Sequence, residues 1–307
     1  MNSLNLDLPI HGADIDSDLL IAARFHARFL DLNAKNRALA HLAGARQTRA
    51  RGRGVDFDEV RQYVAGDDIR AIDWRVTARS GHAHTKLFHE DREQPILVAV
   101  DLRSQMLFGS THCFKSVLAA HLASTLLWAG LDSGERVGGC VLRDDAVADV
   151  RPRQSRNTVL ELIGQMARPA IATAQSSPLT IEALLEQLLR IARPGSKLFL
   201  LTDGSDLLED HALALLRQVA SRHQMIVLTV SDPLEFELPP PGQYAVTDGD
   251  ISTALNVHDE GMRARYQTQY IETQLALKSA LRERGIPLIT LSTSQPPLPI
   301  LRRFFSA

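Results

Sequence analysis

From about residue 95 onward, the sequence predicts a doubly wound α/β domain with a mostly parallel sheet. Short apolar segments alternate there with helical patterns of ten to twenty residues, a length that favours crossover units. Two of the predicted strands, ILVAVD and KLFLLTD, end in an acidic residue, Asp101 and Asp203. In open parallel sheets, ligands bind beyond the carboxyl ends of the strands, so this edge is where a site is expected.

The N-terminal third has a different pattern. Residues 16 to 43 carry apolar side chains at near-helical spacing after Asp16 or Ser17 as a cap, which predicts one or two amphipathic helices. The next segment, RQTRARGRG, has four arginines from Arg46 to Arg53 and glycines that disfavour a helix, so we expect an exposed basic loop. The polar stretch that follows contains one predicted strand, AHTKLFHE. Residues 1–94 are therefore predicted to form a helical and irregular appendage.

Six main strands and their helices are predicted in residues 95–307. A turn of only Arg143, Asp144 and Asp145 predicts an antiparallel hairpin between the second and third strands. Residues 232–257 are predicted to be an insertion, in which the prolines of ELPPPG precede a hairpin about DGD. The predicted strands are ILVAVD, RVGGCVL, AVADV, KLFLLTD, MIVLTVSD and PLITLST, and the predicted helices lie near 113–130, 156–166, 179–192, 207–222 and 259–284.

Composition and charge limit the classes of function. The formal net charge is -2, so the whole chain offers no general attraction to nucleic acid or to anionic membranes. Cys113 and Cys140 form no CxxC pair, and no apolar run reaches the length of a transmembrane helix. The N-terminus lacks the features of a secretory signal. These observations predict a cytoplasmic protein with free thiols.

The predicted strand ends could hold a cation. Carboxylates of Asp101 and Asp203, together with the nearby hydroxyls of Ser104, Thr202 and Ser205, are oxygen ligands of the kind that Mg²⁺ prefers. The equally weighted alternative is that each aspartate caps the loop or helix that follows it.

A longer motif resembles a known family. The segment GRGVDFDEVRQYVAGDDIRAIDWRVTARSGHAHTKLFHEDRE, followed by the strand ending in Asp101, resembles the signature of the DUF58 family, and the resemblance covers roughly residues 45 to 305. It implies a C-terminal von Willebrand factor A-like domain. It also implies a protein partner, because members are often encoded beside a MoxR-type AAA+ ATPase. The matching residues are Tyr63, Gly66, Asp67, Asp68, Arg70, Ile72, Asp73, Trp74, Ala78 and Arg79.

The resemblance also implies where a metal ion would bind. Von Willebrand A domains commonly hold Mg²⁺ with an Asp-x-Ser-x-Ser loop, a threonine and a second aspartate. Here the first loop keeps Asp101 but has Arg103 and Gln105 at the serine positions, while Asp203 matches the second acid. The threonine has no clear counterpart, since the loop after AVADV offers only Ser155 and Thr158.

Arg103 argues against a tight metal site. A guanidinium beside a dication is unfavourable by several kcal/mol, so Mg²⁺ binding by Asp101, Ser104 and Asp203 is predicted to be weak or absent. We expect instead that Arg103 approaches the metal position and pairs with Asp101 or Asp203, because its planar fork suits a carboxylate. The alternative is that Arg103 points into solvent.

The family signature has two interpretations. Asp67 or Asp68 could cap a short helix that presents Ile69, Ile72 and Trp74 to the body of the protein. In this preferred, structural interpretation, arginines of the signature pair with its acids. The alternative is a direct binding surface. The arginines are Arg70, Arg75 and Arg79, and the acids are Asp68, Asp73 and Glu90.

We expect a non-catalytic adaptor or co-chaperone, and the family resemblance implies that it works with a MoxR-type ATPase or its client in protein maturation or complex assembly. The alternatives are a metal-dependent hydrolase that uses Asp101 and Asp203, and nucleic-acid binding through Arg46 to Arg53. Neither nucleic acid nor a membrane is the expected partner. The predicted binding crevice consists of Asp101, Arg103, Ser104, Gln105, Asp203 and Ser205.

Overall fold

The computed structural model describes residues 10–33, 37–43, 55–63, 72–90, 94–169, 179–247 and 252–306. These residues belong to two compact units, one formed within 1–48 and 95–307 and the other within 49–94. The strands are β1 (Val55–Gln62), β2 (His84–Glu90), β3 (Ile96–Asp101), β4 (Val137–Leu142), β5 (Val147–Arg153), β6 (Lys197–Thr202), β7 (Gln224–Ser231), β8 (Gln243–Thr247), β9 (Ser252–Asn256) and β10 (Leu288–Ser292). The helices are α1 (Ser17–Ala22), α2 (Arg24–Ala27), α3 (Arg37–Ala43), α4 (Trp74–Ser80), α5 (Lys115–Asp132), α6 (Arg156–Met166), α7 (Ile181–Ile191), α8 (Asp210–Arg222), α9 (Pro233–Phe236), α10 (Glu260–Glu283) and α11 (Pro297–Phe305).

A six-stranded sheet organises the larger unit, in the order β10-β7-β6-β3-β4-β5. All neighbouring strands run parallel except β5, which pairs antiparallel with β4 across the short turn after Leu142. The predicted α/β class with a mostly parallel sheet is therefore confirmed. Strands β3 and β6 are direct neighbours, so their carboxyl ends lie side by side.

Helices cover both faces of this sheet, because its central strands are apolar on both sides. Along β3, Ile96, Val98 and Val100 pack into one core, with α5, α6 and α11. Leu97 and Ala99 pack into the other core, with α7, α8 and the C-terminal half of α10. Each residue of β3 is buried, which explains why this strand has no polar alternation.

The N-terminal helices cover the outer side of α5. That helix is buried from Lys115 to Gly130 and is apolar nearly all round, as expected for a helix packed between two layers. The carbonyl of Leu20 accepts hydrogen bonds from Ser124 Oγ at 2.6 Å and from Trp128 Nε1 at 3.2 Å. The described part of residues 1–48 thus belongs to the sheet unit, whereas the sequence pattern grouped it with the segment up to residue 94.

The smaller unit contains an antiparallel pair, β1 with β2, and the short helix α4. The structure has β2 as predicted, but β1 was missed. Asp73 caps α4 by accepting hydrogen bonds from the backbone N–H groups of Arg75 and Val76 at 2.9 and 3.2 Å. The predicted caps, Asp67 and Asp68, lie outside the described residues, as do Gly66, Ile69 and Arg70.

Trp74 corrects the structural interpretation of the signature. It was expected to face the body of the protein, but it is 69% exposed at the start of α4. Asp73 is the N-cap of α4, and Trp74 is the first residue of that helix. Tyr63 is half-buried after β1, and Arg79 is exposed in the last turn of α4.

The C-terminal part has two features beside the sheet. Strands β8 and β9 form the antiparallel hairpin that the sequence indicated, although DGD itself lies outside the described residues. Helix α11 was not predicted; it begins at Pro297 and buries Leu298, Leu301 and Phe305 against the core. Proline is tolerated in the first helical turn, where no intrahelical N–H bond is needed.

Candidate functional site

The carboxyl ends of β3 and β6 bring the predicted crevice residues together. Asp101 is the last residue of β3, and Thr202 at the end of β6 donates its hydroxyl to Asp101 Oδ2 at 3.1 Å. Asp203 follows Thr202, and Gly204 has a φ of +84°, a conformation that favours glycine and turns the chain away from the sheet. Ser205 donates its backbone N–H to Asp203 Oδ1 at 3.0 Å.

Arg103 lies across Asp101. Its Nε donates to Asp101 Oδ1 at 2.9 Å and its Nη2 to Asp101 Oδ2 at 2.6 Å, which is the bidentate geometry expected of an arginine–carboxylate pair. Its Nη1 donates to Asp206 Oδ2 at 2.8 Å and to the carbonyl of Leu179 at 3.2 Å. The guanidinium thus connects two carboxylates that are far apart in sequence.

Arg103 was predicted to pair with Asp101 or Asp203, and the structure has the pair with Asp101. The side chains of Asp101 and Arg103 are 0% and 5% exposed, so Arg103 does not point into solvent. The second acid in contact with it is Asp206, not Asp203. Asp206 occupies that position because the turn after β6 brings it towards α7, where it also accepts from the backbone N–H of Ile181 at 3.2 Å.

Burial determines the electrostatics of the pair. It raises the pKa of Asp101 above its ordinary value, and the hydrogen bonds from Arg103 act against that rise. Burial alone would lower the pKa of Arg103, but the carboxylates of Asp101 and Asp206 outweigh it and raise the pKa. The guanidinium therefore stays charged and needs both acids.

A second buried cation lies on the other side of Asp203. Lys115 Nζ is 3.1 Å from Asp203 Oδ2 and 2.5 Å from Glu235 Oε1, and the lysine side chain is only 3% exposed. Burial alone would lower the pKa of Lys115, but Asp203 and Glu235 raise it. Gln105 Nε2 completes the contacts of Asp203, donating to its Oδ1 at 3.2 Å and to Ser205 Oγ at 3.0 Å.

Two further aspartates hold the loops around the crevice. Asp144, in the turn between β4 and β5, accepts from the backbone N–H and the hydroxyl of Ser104. Asp232, after β7, accepts from the backbone N–H of Ser110 at 2.8 Å and from Thr293 Oγ1 at 2.6 Å. The loop after β3 is thereby attached to the ends of two other strands, β4 and β7.

These side chains do not fit a divalent cation. The oxygens of Asp101 that a metal would use are both occupied by Arg103, and Lys115 places a second positive charge beside Asp203. Among the described residues, no group of three or more His, Cys, Asp or Glu side chains is arranged to hold a metal ion. Ser155 caps α6, and Thr158 is buried within that helix.

Sequence reasoning missed four members of this network. Lys115, Asp144, Asp206 and Glu235 come from four separate loops or helix starts, and only folding brings them together. Two signals were available in the sequence. Lys115 is a lone charge at the start of a long apolar segment, and DPLE at 232–235 has the spacing of a capping box.

Comparison with known proteins identifies the family. Residues 59–276 match the family model described as Protein of unknown function DUF58. The chain belongs to the DUF58 family. Its sheet has the von Willebrand factor A-like α/β fold that the resemblance implied, with helices on both faces.

Two mycobacterial proteins are similar over nearly the whole chain. They are the Uncharacterized protein Rv1480 of Mycobacterium tuberculosis and the Uncharacterized protein Mb1516 of Mycobacterium bovis. Each is 28% identical over 299 residues, which is 96% of this chain and 91% of the relative.

Three solved structures are similar over about two thirds of the chain. BatB from Bacteroides thetaiotaomicron is 16% identical, with a TM-score of 0.44 over 68% of this chain and 96% of that one. An aerotolerance-related membrane protein from Bacteroides fragilis is 14% identical, with a TM-score of 0.43 over 69% and 98%. The VWA domain of SpRpn10 is 8% identical, with a TM-score of 0.38 over 68% and 94%.

The predicted cytoplasmic location is wrong on this comparison, because the similar Bacteroides fragilis structure is described as a membrane protein. That description belongs to the neighbour. In the part of this chain that the structure describes, no helix is both long enough and apolar enough to cross a membrane.

Proposed function

We propose that this protein is a non-catalytic binding adaptor whose recognition site is the crevice at the carboxyl ends of β3 and β6. The observation that carries the proposal is the contact of Arg103 with both Asp101 and Asp206. This contact leaves the buried acids of the crevice fully engaged within the protein. The rim of the crevice carries the exposed side chains of Ser104, Gln105 and Ser205, and the carboxylates of Asp206 and Glu235 there are partly exposed.

The geometry supports binding better than catalysis. A metal-dependent hydrolase would need Asp101 to reach an ion or a substrate, but this side chain is 0% exposed and accepts from both Arg103 and Thr202. The arginines proposed for nucleic-acid binding, Arg46 to Arg53, lie outside the described residues. No contact among the described residues therefore favours either alternative over an adaptor.

The partner in this proposal is a MoxR-type AAA+ ATPase or its client protein. This choice rests on membership of the DUF58 family and on the MoxR-type partner that the family resemblance implies. The crevice suits an adaptor because internal ion pairs hold its loops in place, so little ordering is needed when a partner binds.

The test is binding of the full chain to the purified MoxR-type ATPase of the same host, with and without ATP, by biolayer interferometry. Ser205→Arg places a long side chain in the crevice, and Ser221→Arg is the matched control on α8, because both serines are exposed. We expect binding by the wild-type chain and the control, and at least about tenfold weaker binding by Ser205→Arg. Equal binding by both variants would place the interface elsewhere, and no binding by the wild-type chain would refute this partner.

A further inference from the structure

Four of the exposed large apolar side chains of the sheet unit lie on segments that border the crevice. Leu107 and Phe108 follow the loop after β3 and are 42% and 39% exposed. Phe236 at the end of α9 is 40% exposed, and Tyr266 on α10 is 37% exposed. With Glu235 these residues form what we name the strand-end surface: Leu107, Phe108, Glu235, Phe236 and Tyr266.

Contacts between side chains connect the segments that form this surface. Lys115 Nζ lies 6.0 Å from the centre of the Phe108 ring and 2.5 Å from Glu235 Oε1. Tyr266 donates its hydroxyl to the carbonyl of Leu234 at 3.2 Å. Aromatic side chains from the loop after β3 and from α10 therefore lie on the segments that hold the Lys115–Glu235 ion pair, and the Phe236 ring packs edge-on against Tyr270 of α10 at 5.8 Å.

The charges of the surface have a consistent arrangement. The two cations, Arg103 and Lys115, are 5% and 3% exposed. The acids that contact them at the rim are more exposed, at 10% for Asp203, 22% for Asp206 and 26% for Glu235. Negative charge thus faces solvent and positive charge lies beneath it.

We propose that the strand-end surface binds a segment of a protein partner that carries a lysine or arginine flanked by apolar side chains. The apolar side chains would cover Phe108 and Phe236, and the basic side chain would approach the carboxylates of Glu235 and Asp203, which are 26% and 10% exposed. Complementary charge selects the partner and speeds its approach, while aromatic side chains supply most of the contact energy. This inference rests on the proposed function and adds the chemistry of the partner.

The experiment selects a random-peptide phage library on the immobilised full chain and then measures the best peptide by fluorescence anisotropy. We expect the selected sequences to contain a basic residue beside Leu, Ile, Phe or Tyr. Replacing that basic residue with Glu in the synthetic peptide should weaken binding about tenfold or more, and raising the salt concentration should weaken the original peptide.

Variants of the protein locate the peptide. Phe236→Ala should weaken binding about tenfold, whereas Leu160→Ala, which removes an equally exposed side chain from α6, should leave it unchanged. Glu235→Gln should reduce the preference for the basic over the Glu-containing peptide, and Glu283→Gln, at the far end of α10, should not. The urea midpoint of each variant shows whether it remains folded.

An acidic or uncharged consensus, no enriched peptide at all, or binding that Phe236→Ala leaves intact would overturn the inference. These results are separable from the ATPase test. ATPase binding that depends on Ser205 but not on Phe236 or Glu235 would keep the adaptor and reject this surface. A basic peptide that binds as described, without any ATPase binding, would keep the surface and reject that partner.

Discussion

Replacing Arg103 with methionine should strongly destabilise the sheet unit. Asp101 is 0% exposed and would lose both of its guanidinium hydrogen bonds, keeping those from Thr202 Oγ1 and the backbone N–H of residue 103. Removing one partner of a buried ion pair typically costs about 3–5 kcal/mol, because the remaining charge is left uncompensated.

Protonation of Asp101 limits that cost and makes it depend on pH. Neutralising a carboxyl of ordinary pKa near 3.9 at about pH 7 costs about 4 kcal/mol, so the loss cannot greatly exceed this value. In Arg103→Met the folded-state pKa of Asp101 lies above the unfolded one, so the folded variant binds more protons. Arg103 acts against the rise of this pKa in the wild type, so the variant binds more protons than the wild type when folded. The stability difference between them should therefore shrink as the pH falls from about 7 to about 5, by up to about 1.4 kcal/mol per pH unit.

Urea unfolding followed by tryptophan fluorescence measures this loss. The chain has two tryptophans, so a Trp74→Phe background leaves Trp128, which is buried in α5, as the reporter of the sheet unit. The control is Asp101→Asn combined with Arg103→Met, which removes both charges of the buried pair and should recover most of the stability. A loss below about 1 kcal/mol at pH 7, or a double variant as unstable as the single one, would refute the argument for a buried pair.

Three further predictions follow from named contacts. Burial, aided by the neighbouring His26, lowers the pKa of His121 to about 4. The unfolded chain therefore takes up this proton first, and the free energy of unfolding should fall by about 3 kcal/mol between about pH 6.5 and about pH 4. The urea midpoint of His121→Gln should fall less over this range than that of the wild type, and equal falls would show that another group is responsible. Calorimetry with Mg²⁺ and Mn²⁺ should show no micromolar binding, and such binding abolished by Asp101→Ala would contradict the ion-pair interpretation. Leu20→Ala should lower the unfolding free energy reported by Trp128 by about 2–5 kcal/mol, because the N-terminal helices pack on α5. An unchanged urea midpoint would show that the packing of these helices does not contribute to the stability of the sheet unit.

Periodicity predicted the sheet unit well because burial dominates there. ILVAVD and KLFLLT are buried at every position. Short apolar segments of this length between helical patterns are typical of buried strands. Periodicity did not predict two elements in which prolines or acidic residues interrupt the apolar spacing. In α11, prolines at 296, 297 and 299 concealed an apolar spacing, and in β1 the acids of VDFDEV concealed a strand.

The site was predictable only over short sequence distances. Arg103 lies two residues from Asp101, so its pairing could be proposed from spacing and charge alone. Asp206 and Lys115 reach the crevice through loops whose course depends on how α5 and α7 pack on the sheet. A strand-end position indicates which residues converge, but not which oxygen accepts from which cation.

Arg103 and Lys115 together supply two positive charges to four carboxylates, Asp101, Asp206, Asp203 and Glu235. A divalent ion would supply the same total charge, but it would be exchangeable, and its presence would depend on concentration. Here both charges are covalently attached and lie below the surface, so they remain in place whatever the ionic conditions. The loops of the crevice are consequently held in one arrangement, and the excess negative charge faces outward. In the proposed binding mode, the partly exposed carboxylates and the aromatic rings select the partner without a metal ion.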